Sequence, residues 1–180
     1  MKRSDLAHLI RALARIARNE PVIVIGSQSV LATFAEDELP EAVTLSMEAD
    51  VAFLNDPTFE KSDKAEAILG ELSQFHLTFG YYLQSVSVDT AILPAGWRMR
   101  LVKFEHADFG DGNAVCLDVH DAVLAKLVAN RPKDHDFARE LISERFVFAG
   151  ILVERAAELP VPAEVRERVV QTVERYRPAA

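Results

Sequence analysis

The stretch that decides the fold is VIVIGSQSVL at residues 22–31, followed by SMEADVAF at residues 46–53. Four consecutive β-branched residues in the first segment predict a short strand that is buried on both faces. Gly26 ends that strand, and the following residues have the pattern of a helix that starts at the turn. In the second segment apolar residues alternate with Glu48 and Asp50, which is the period of a strand.

The two acids of the second segment point to the same face of their strand, because side chains two residues apart do so. Their mutual repulsion raises the pKa of one of them unless a cation lies between them. Mg²⁺ suits this position because it takes carboxylate oxygens at about 2.1 Å and completes its shell with water and phosphate oxygens. Two such ions about 3.5–4 Å apart would activate an attacking oxygen and stabilise a leaving one. The alternative is that Glu48 and Asp50 form the solvated face of an edge strand.

The Gly-Ser turn is the second candidate feature. Gly26 lets the backbone approach a phosphate closely, and Ser27 with the following amides can donate hydrogen bonds to an anion. The same residue types also occur in strand-to-helix turns without any function. A third carboxylate would come from a neighbouring strand, and Asp89 in SVSVDTAIL is the candidate, although it could equally lie in a turn.

Composition and charge narrow the class of protein. The formal net charge of -8 argues against a surface that coats nucleic acid, which needs clustered Lys and Arg. Cys116 is the only cysteine, so no internal disulfide forms and a cytoplasmic location is the default expectation. No apolar run is long enough to span a bilayer, and the N-terminus lacks the apolar segment of a secretory signal. We expect no membrane partner.

The order of the elements predicts an α+β fold, with a mixed sheet flanked by helices and a helical C-terminal part. Residues 78–93 read as one or two strands, residues 94–106 as a turn and a strand, and residues 109–117 as a turn and a last short strand. Residues 1–118 would form the α/β core. Residues 119–180 would form the helical part that packs on it, within one compact domain.

The two opening segments together resemble the signature of the nucleotidyltransferase superfamily, which has the DNA polymerase beta-like fold. Farther along, DVHDAVLAKLVANRPKDHDFAREL at residues 118–141 resembles the AbiEii-type branch, which includes toxins of bacterial toxin–antitoxin pairs. The resemblance covers roughly residues 20–142. Two departures are a longer gap between the two motifs and Glu48 in place of Asp.

The resemblance assigns roles to particular residues. Phosphate contacts would fall to Gly26, Ser27 and Lys126, and metal binding to Glu48, Asp50 and Asp89, with Asp89 as base or ligand. Secondary candidates in the later motif are Arg131, Lys133, Asp134 and Asp136. The implied cofactor is Mg²⁺, with Mn²⁺ as an alternative.

The function implied is transfer of a nucleotidyl group from an NTP to an acceptor hydroxyl on a tRNA, a protein or a small molecule. An antitoxin protein would be a further partner if the toxin analogy holds. The alternative is a catalytically silent module that binds a protein partner. The two hypotheses differ in whether the three acids converge at an open cleft.

Several of these residue types also have ordinary structural explanations. Lys126 lies between leucines on a helix, where surface lysines are common. Asp134 and Asp136 follow Pro132 at a helix start, where the helix dipole favours acids. The aromatic residues near position 80 predict core packing rather than base stacking; they are Phe75, Phe79, Tyr81 and Tyr82. The C-terminal arginines alternate with glutamates and predict a solvated helical face; they are Arg155, Arg166, Arg168, Arg175 and Arg177.

Overall fold

The computed structural model describes residues 1–18, 20–107 and 112–178. This part of the chain forms a five-stranded mixed sheet with helices packed against it, which confirms the α+β prediction. The strands are β1 (Val22–Val24), β2 (Glu48–Phe53), β3 (Tyr82–Ser85), β4 (Val102–Lys103) and β5 (Ala114–Cys116). The helices are α1 (Arg3–Ala17), α2 (Glu41–Thr44), α3 (Glu60–Leu69), α4 (Gln74–Phe79), α5 (Val119–Ala129), α6 (Pro132–Ser143), α7 (Ala149–Ala156) and α8 (Ala163–Tyr176).

The sheet has the order β3-β2-β1-β5-β4, so the VIV strand lies at its centre. Strand β1 runs antiparallel to β2 and parallel to β5, while β2 and β3 run parallel to each other. Strand β4 pairs antiparallel with β5 at the far edge. Because β1 has a partner on both sides, none of its backbone groups is left at a sheet edge.

Central strand β1 is buried on both faces, as its β-branched run predicts. Val22 and Val24 lie in the larger hydrophobic cluster, and Ile23 and Ile25 lie in a smaller cluster on the opposite face. The larger cluster extends from Leu6 in α1 to residues of α8, so the C-terminal helices pack on the same core as the strands.

Strand β2 divides its side chains between these two faces. Ala49 and Val51 belong to the larger cluster. Glu48 and Asp50, which alternate with them, therefore project from the opposite face of the sheet. The pattern of the sequence thus places both acids on the face away from the larger core.

Two segments differ from the prediction in their local structure. Residues Ser27–Ala32 form a 3₁₀ helix instead of an α-helix, and four of these residues are buried. 3₁₀ helices are frequent as connectors, and this one leads from the end of β1 toward α2. Residues 78–93 contain little strand, because Gln74–Phe79 forms a helix that ends at Gly80, where φ is 80°.

The predicted turn at the start of residues 109–117 falls in part outside the described residues. The strand predicted after that turn is confirmed as β5, and the strand predicted within residues 94–106 is confirmed as the short β4. Within the described chain, no helix combines the length and the apolar character that crossing a membrane requires.

Candidate functional site

The site is centred on the acid pair of β2. Glu48 and Asp50 are both half-buried and share one face of the sheet. Burial raises the pKa of Asp50, and the neighbouring charge of Glu48 raises it further, to about 6. Two carboxylates held this close gain free energy when a cation is placed between them. Glu48 and Asp50 are therefore the side chains here that could hold a cation.

Gly26 lies directly against the carboxyl group of Asp50. A Cβ atom at position 26 would lie 1.8 Å from Asp50 Oδ2 and 2.7 Å from its Cγ. The φ angle of Gly26 is -73°, which any residue can adopt. Glycine is therefore needed here for space, because no side chain fits between the turn and the acid. Ser27 follows as the half-buried first residue of the 3₁₀ helix.

Neighbouring strand β3 contributes two hydrogen-bonding side chains to the acid pair. Tyr82 is the register partner of Glu48, and Gln84 is the partner of Asp50. The Tyr82 hydroxyl donates to Glu48 Oε2 at 3.1 Å. Burial and this hydrogen bond raise the pKa of Tyr82 to about 12. The Gln84 amide faces only carboxylate oxygens, so its nitrogen is assigned to that side, where it donates to Glu48 Oε1 at 3.0 Å and to Asp50 Oδ1 at 3.2 Å.

Sequence reasoning did not select Tyr82 or Gln84 for the site. The signal available was the alternation in YYLQS, which places these two side chains on one face of a strand. That alternation does not say which strand lies beside it or in which register. The pairing with β2 is a property of the tertiary structure.

Asp89 is not brought into this group. It lies exposed in the 3₁₀ turn Val88–Thr90, beyond the end of β3 at Ser85. Its amide N–H donates to Ser87 Oγ at 3.3 Å. Within residues 1–18, 20–107 and 112–178, no cluster of three His, Cys, Asp or Glu side chains is arranged to hold a metal ion. The expected convergence of three carboxylates is therefore not met, because the strand ends before it reaches Asp89.

Three cations, on α5, on α6 and at the junction between them, interact electrostatically with the acid pair. The positive charges of Lys126 and Lys133 both lower the pKa of Asp50 and so oppose part of its rise. The pKa of Arg131 is raised, chiefly by its hydrogen bond with Asp134 and further by the charges of Asp50 and Glu48. Lys126 is the least exposed of the three, with 17% of its side chain accessible.

Asp134 holds two of these cations in place. Its buried carboxylate accepts a hydrogen bond from Arg131 Nε at 2.7 Å and lies 3.5 Å from Lys126 Nζ. Burial alone would raise the pKa of Asp134, but the hydrogen bonds from Arg131 and the charge of Lys126 lower it overall. Asp136 differs, since its exposed carboxylate pairs with Arg139 at 2.9 Å. The structure thus connects Asp134 to the site and directs Asp136 to the surface of α6.

The predicted solvated face of the C-terminal arginines is wrong for Arg155. Its guanidinium bridges Asp118 at 2.5 Å and Asp121 at 3.0 Å, and only 20% of its side chain is exposed. Arg100 pairs with the opposite oxygen of Asp121 at 2.9 Å. Spacing along a helix shows which residues share a face, but it does not show which acids fold against that face.

The aromatic residues near position 80 divide between two locations. Phe75, Phe79 and Tyr81 pack around His8, with the Phe79 ring centroid 4.6 Å from that of His8. Tyr82 instead belongs to the acid pair through Glu48. The core packing predicted for this group therefore holds for Phe75 and Tyr81, which are partly buried against the larger cluster, and is wrong for Phe79, which is exposed.

Comparison with protein-family models places this geometry in a known group. A model described as "nucleotidyltransferase of unknown function (DUF6036)" matches residues 4–160. No curated protein and no solved structure matches the chain. The matched span includes the Gly26–Ser27 turn, the acid pair and the cations of α5 and α6. The match does not extend to the AbiEii-type branch. Because it covers most of the chain, this protein belongs to the nucleotidyltransferase family DUF6036.

Proposed function

We propose that the protein is a Mg²⁺-dependent nucleotidyltransferase that moves a nucleotidyl group from an NTP to an acceptor hydroxyl. The observation that carries this proposal is the position of Asp50. It lies beside the second carboxylate of Glu48 and within the field of the cations Lys126 and Lys133. A site that pairs acids for a metal ion with cations for phosphates suits an NTP–metal complex.

The residues present fit a divalent cation. Mg²⁺ is commonly bound through one or two carboxylates together with substrate phosphates, and Glu48 and Asp50 supply that donor set. Gly26 leaves the space that the Asp50 carboxyl group occupies. Mn²⁺ prefers the same oxygen ligands. When bound, the ion would neutralise charge on the phosphate oxygens.

The side chains of this protein would position the triphosphate. Lys126 and Arg131 are oriented by the buried carboxylate of Asp134, so little side-chain entropy is lost when they contact phosphate. The turn of Gly26 and Ser27 adjoins Asp50 and would supply backbone and hydroxyl donors. Phosphoryl chemistry depends mostly on positioning and charge stabilisation, which these groups provide.

In the proposed reaction the acceptor hydroxyl oxygen attacks the α-phosphorus of the NTP. The bond from the α-phosphorus to the oxygen bridging to the β-phosphate breaks, and pyrophosphate leaves. The hydroxyl proton passes to water. We assign no role to Asp89, because the described structure leaves it exposed beyond the end of β3.

Binding and transfer of labelled nucleotide test the proposal. Each NTP, labelled at the α-phosphate, is incubated with purified protein and Mg²⁺, and bound and transferred label are measured. We expect Asp50→Asn to abolish both nucleotide binding and transfer, and Lys126→Met to weaken nucleotide binding. Lys64→Met, on the exposed surface of α3, is the matched control. Equal binding by wild type and Asp50→Asn would contradict the proposal.

The acceptor is resolved by where the label goes. Label in added tRNA, in protein or in a small hydroxyl compound identifies one of the three classes. A toxin role, which the resemblance of residues 118–141 to the AbiEii-type branch motivates, would appear as growth arrest on expression. Asp50→Asn would relieve that arrest, and a co-expressed antitoxin would do so without a mutation.

One observation favours the second candidate, a silent binding module. Gln84, and not an acid, lies beside the pair at the register position of Asp50. Mg²⁺-dependent nucleotide binding without any labelled product, under all acceptor conditions, would support that alternative over the enzyme.

A further inference from the structure

We propose that Gln84 is the third protein ligand of the cation and binds through its amide oxygen. Its amide group would rotate between two roles: a hydrogen-bond donor to the carboxylates without the cation, and a ligand with it. The proposal rests on the metal site of the proposed function. It adds a neutral residue at the position where a third carboxylate was expected.

The strand register brings Gln84 to the acid pair. Gln84 lies opposite Asp50 in the parallel pairing of β2 and β3, so the two side chains project from the same face. One terminal amide atom of Gln84 lies 3.0 Å from Glu48 Oε1 and 3.2 Å from Asp50 Oδ1. A single atom thus touches both carboxylates.

These separations are those of neighbouring ligands around one small cation. In octahedral coordination at about 2.1 Å, adjacent ligand oxygens lie about 3.0 Å apart. Rotation by a half-turn about the last side-chain bond exchanges the amide oxygen and nitrogen with little change in shape. After this rotation, the separations between the Gln84 oxygen and the two carboxylate oxygens would match those of adjacent ligands around one cation. The side chain is exposed, so the space for rotation exists.

A glutamine amide has both a donor and an acceptor, so Gln84 can interact favourably with the acid pair both without and with a bound cation. Without a cation, the amide nitrogen donates to two acids that repel each other. With a cation, the same side chain offers an oxygen and adds no further negative charge. The N–H donor therefore competes with the cation, and the amide oxygen supports it. These two effects have opposite signs on cation affinity, so a single substitution separates them.

Binding of Mn²⁺ to the full chain, measured by the EPR signal of free Mn²⁺ at about pH 8, is the test. Gln84→Met replaces Gln84 by a side chain of similar size without an amide oxygen. If Gln84 is a ligand, we expect the affinity for Mn²⁺ to fall about tenfold or more. If Gln84 were only a donor, Gln84→Met would bind Mn²⁺ as tightly as wild type or tighter, which would overturn the proposal. Gln74→Met, on exposed α4, is the matched control and should bind like wild type.

A second variant guards against a folding defect in the first. Gln84→Glu keeps an oxygen and loses the N–H donor, and we expect it to bind Mn²⁺ at least as tightly as wild type. The side-chain carbonyl ¹³C signal of Gln84, assigned from its absence in Gln84→Met, should shift when wild type is saturated with Mg²⁺. An unchanged signal at saturation would overturn the ligand assignment.

The outcomes separate this proposal from the proposed function. If Asp50→Asn loses Mn²⁺ while Gln84→Met retains it, the metal site stands and the role of Gln84 is overturned. If wild type binds no Mn²⁺ with or without NTP, both proposals fail.

Discussion

Gly26 and Asp50 form one packing unit, because a Cβ at position 26 would lie 1.8 Å from Asp50 Oδ2. Gly26 follows the end of β1, Asp50 lies in the adjacent antiparallel strand β2, and Ile25 N–H donates to the Asp50 carbonyl at 2.9 Å next to this contact. The glycine of the first motif and the acid of the second are thus physically dependent on each other. This packing dependence holds with or without a ligand.

Gly26→Ala should therefore destabilise the protein, because the added methyl group displaces the Asp50 carboxyl group. We expect a loss of about 2 kcal/mol in the free energy of unfolding, measured by urea denaturation. The matched control is Gly150→Ala in α7, where an added Cβ meets nothing within 4 Å. That control should gain up to about 1 kcal/mol from helix propensity. In an Asp50→Ala background the cost of Gly26→Ala should shrink, and an unchanged cost would refute the contact.

Asp50→Asn should change how stability depends on pH in the cation-free protein. The pKa of Asp50 is raised to about 6 in the folded state, above the value of about 3.9 in an unfolded chain. An acid with a raised pKa makes folding more favourable at low pH, and this contribution is lost as pH rises from about 4 to 6. Asp50→Asn should thus be more stable than wild type by about 2 kcal/mol at pH 7 and should gain little at pH 4.

Urea denaturation in the presence of a chelator, at pH values between 4 and 7, measures this difference. A wild type and an Asp50→Asn variant whose stability difference stays constant over that range would show that Asp50 titrates normally.

Asp134→Asn should weaken both stability and nucleotide binding. The buried carboxylate of Asp134 pairs with Arg131 at 2.7 Å and with Lys126 at 3.5 Å. We expect a loss of about 2 kcal/mol in unfolding free energy, below the usual cost of breaking a fully buried pair because Arg131 is half exposed. Asp136→Asn is the matched control, since its exposed pair with Arg139 should contribute about 0.5 kcal/mol or less. Equal effects of the two variants would contradict the assigned role of Asp134.

Arg155→Met should destabilise the protein far more than Arg175→Met. Arg155 bridges Asp118 and the fully buried Asp121, while Arg175 lies exposed on α8. Removal of Arg155 leaves the buried Asp121 with its ion pair to Arg100. We expect a loss of about 3 kcal/mol for Arg155→Met and about 0.5 kcal/mol or less for Arg175→Met, both by thermal denaturation. Similar melting temperatures for the two variants would indicate that Arg155 lies on a solvated face, as the sequence pattern predicts.

Local sequence patterns were sufficient to predict those features of the site that lie within one short segment of the chain. The alternation around Glu48 and Asp50 fixed their common face, because the side chains of a strand alternate with a period of two. The β-branched run before Gly26 predicted a central strand, and the apolar periodicity of the last third predicted its helices. Each of these conclusions needs only the geometry of a short stretch of backbone.

The position of Asp89 could not be predicted from local sequence patterns. Its neighbours Val86 and Val88 are typical of a strand, yet the strand ends at Ser85 and Asp89 lies in a 3₁₀ turn. The position that faces Asp50 is occupied by Gln84. A shift along the strand changes which side chain meets the acid pair, and register is set by the packing of the whole sheet.

The amino-acid sequence by itself determined the acid pair, the glycine turn, the helical C-terminal third and the resemblance to nucleotidyltransferases. Only the tertiary structure decided that Gly26 makes room for Asp50, that Gln84 and Tyr82 join the acids, and that Arg155 is held between two aspartates. The physical reason is the range of the interactions. Backbone periodicity acts over a few residues, whereas strand register and ion pairing join segments that are distant along the chain.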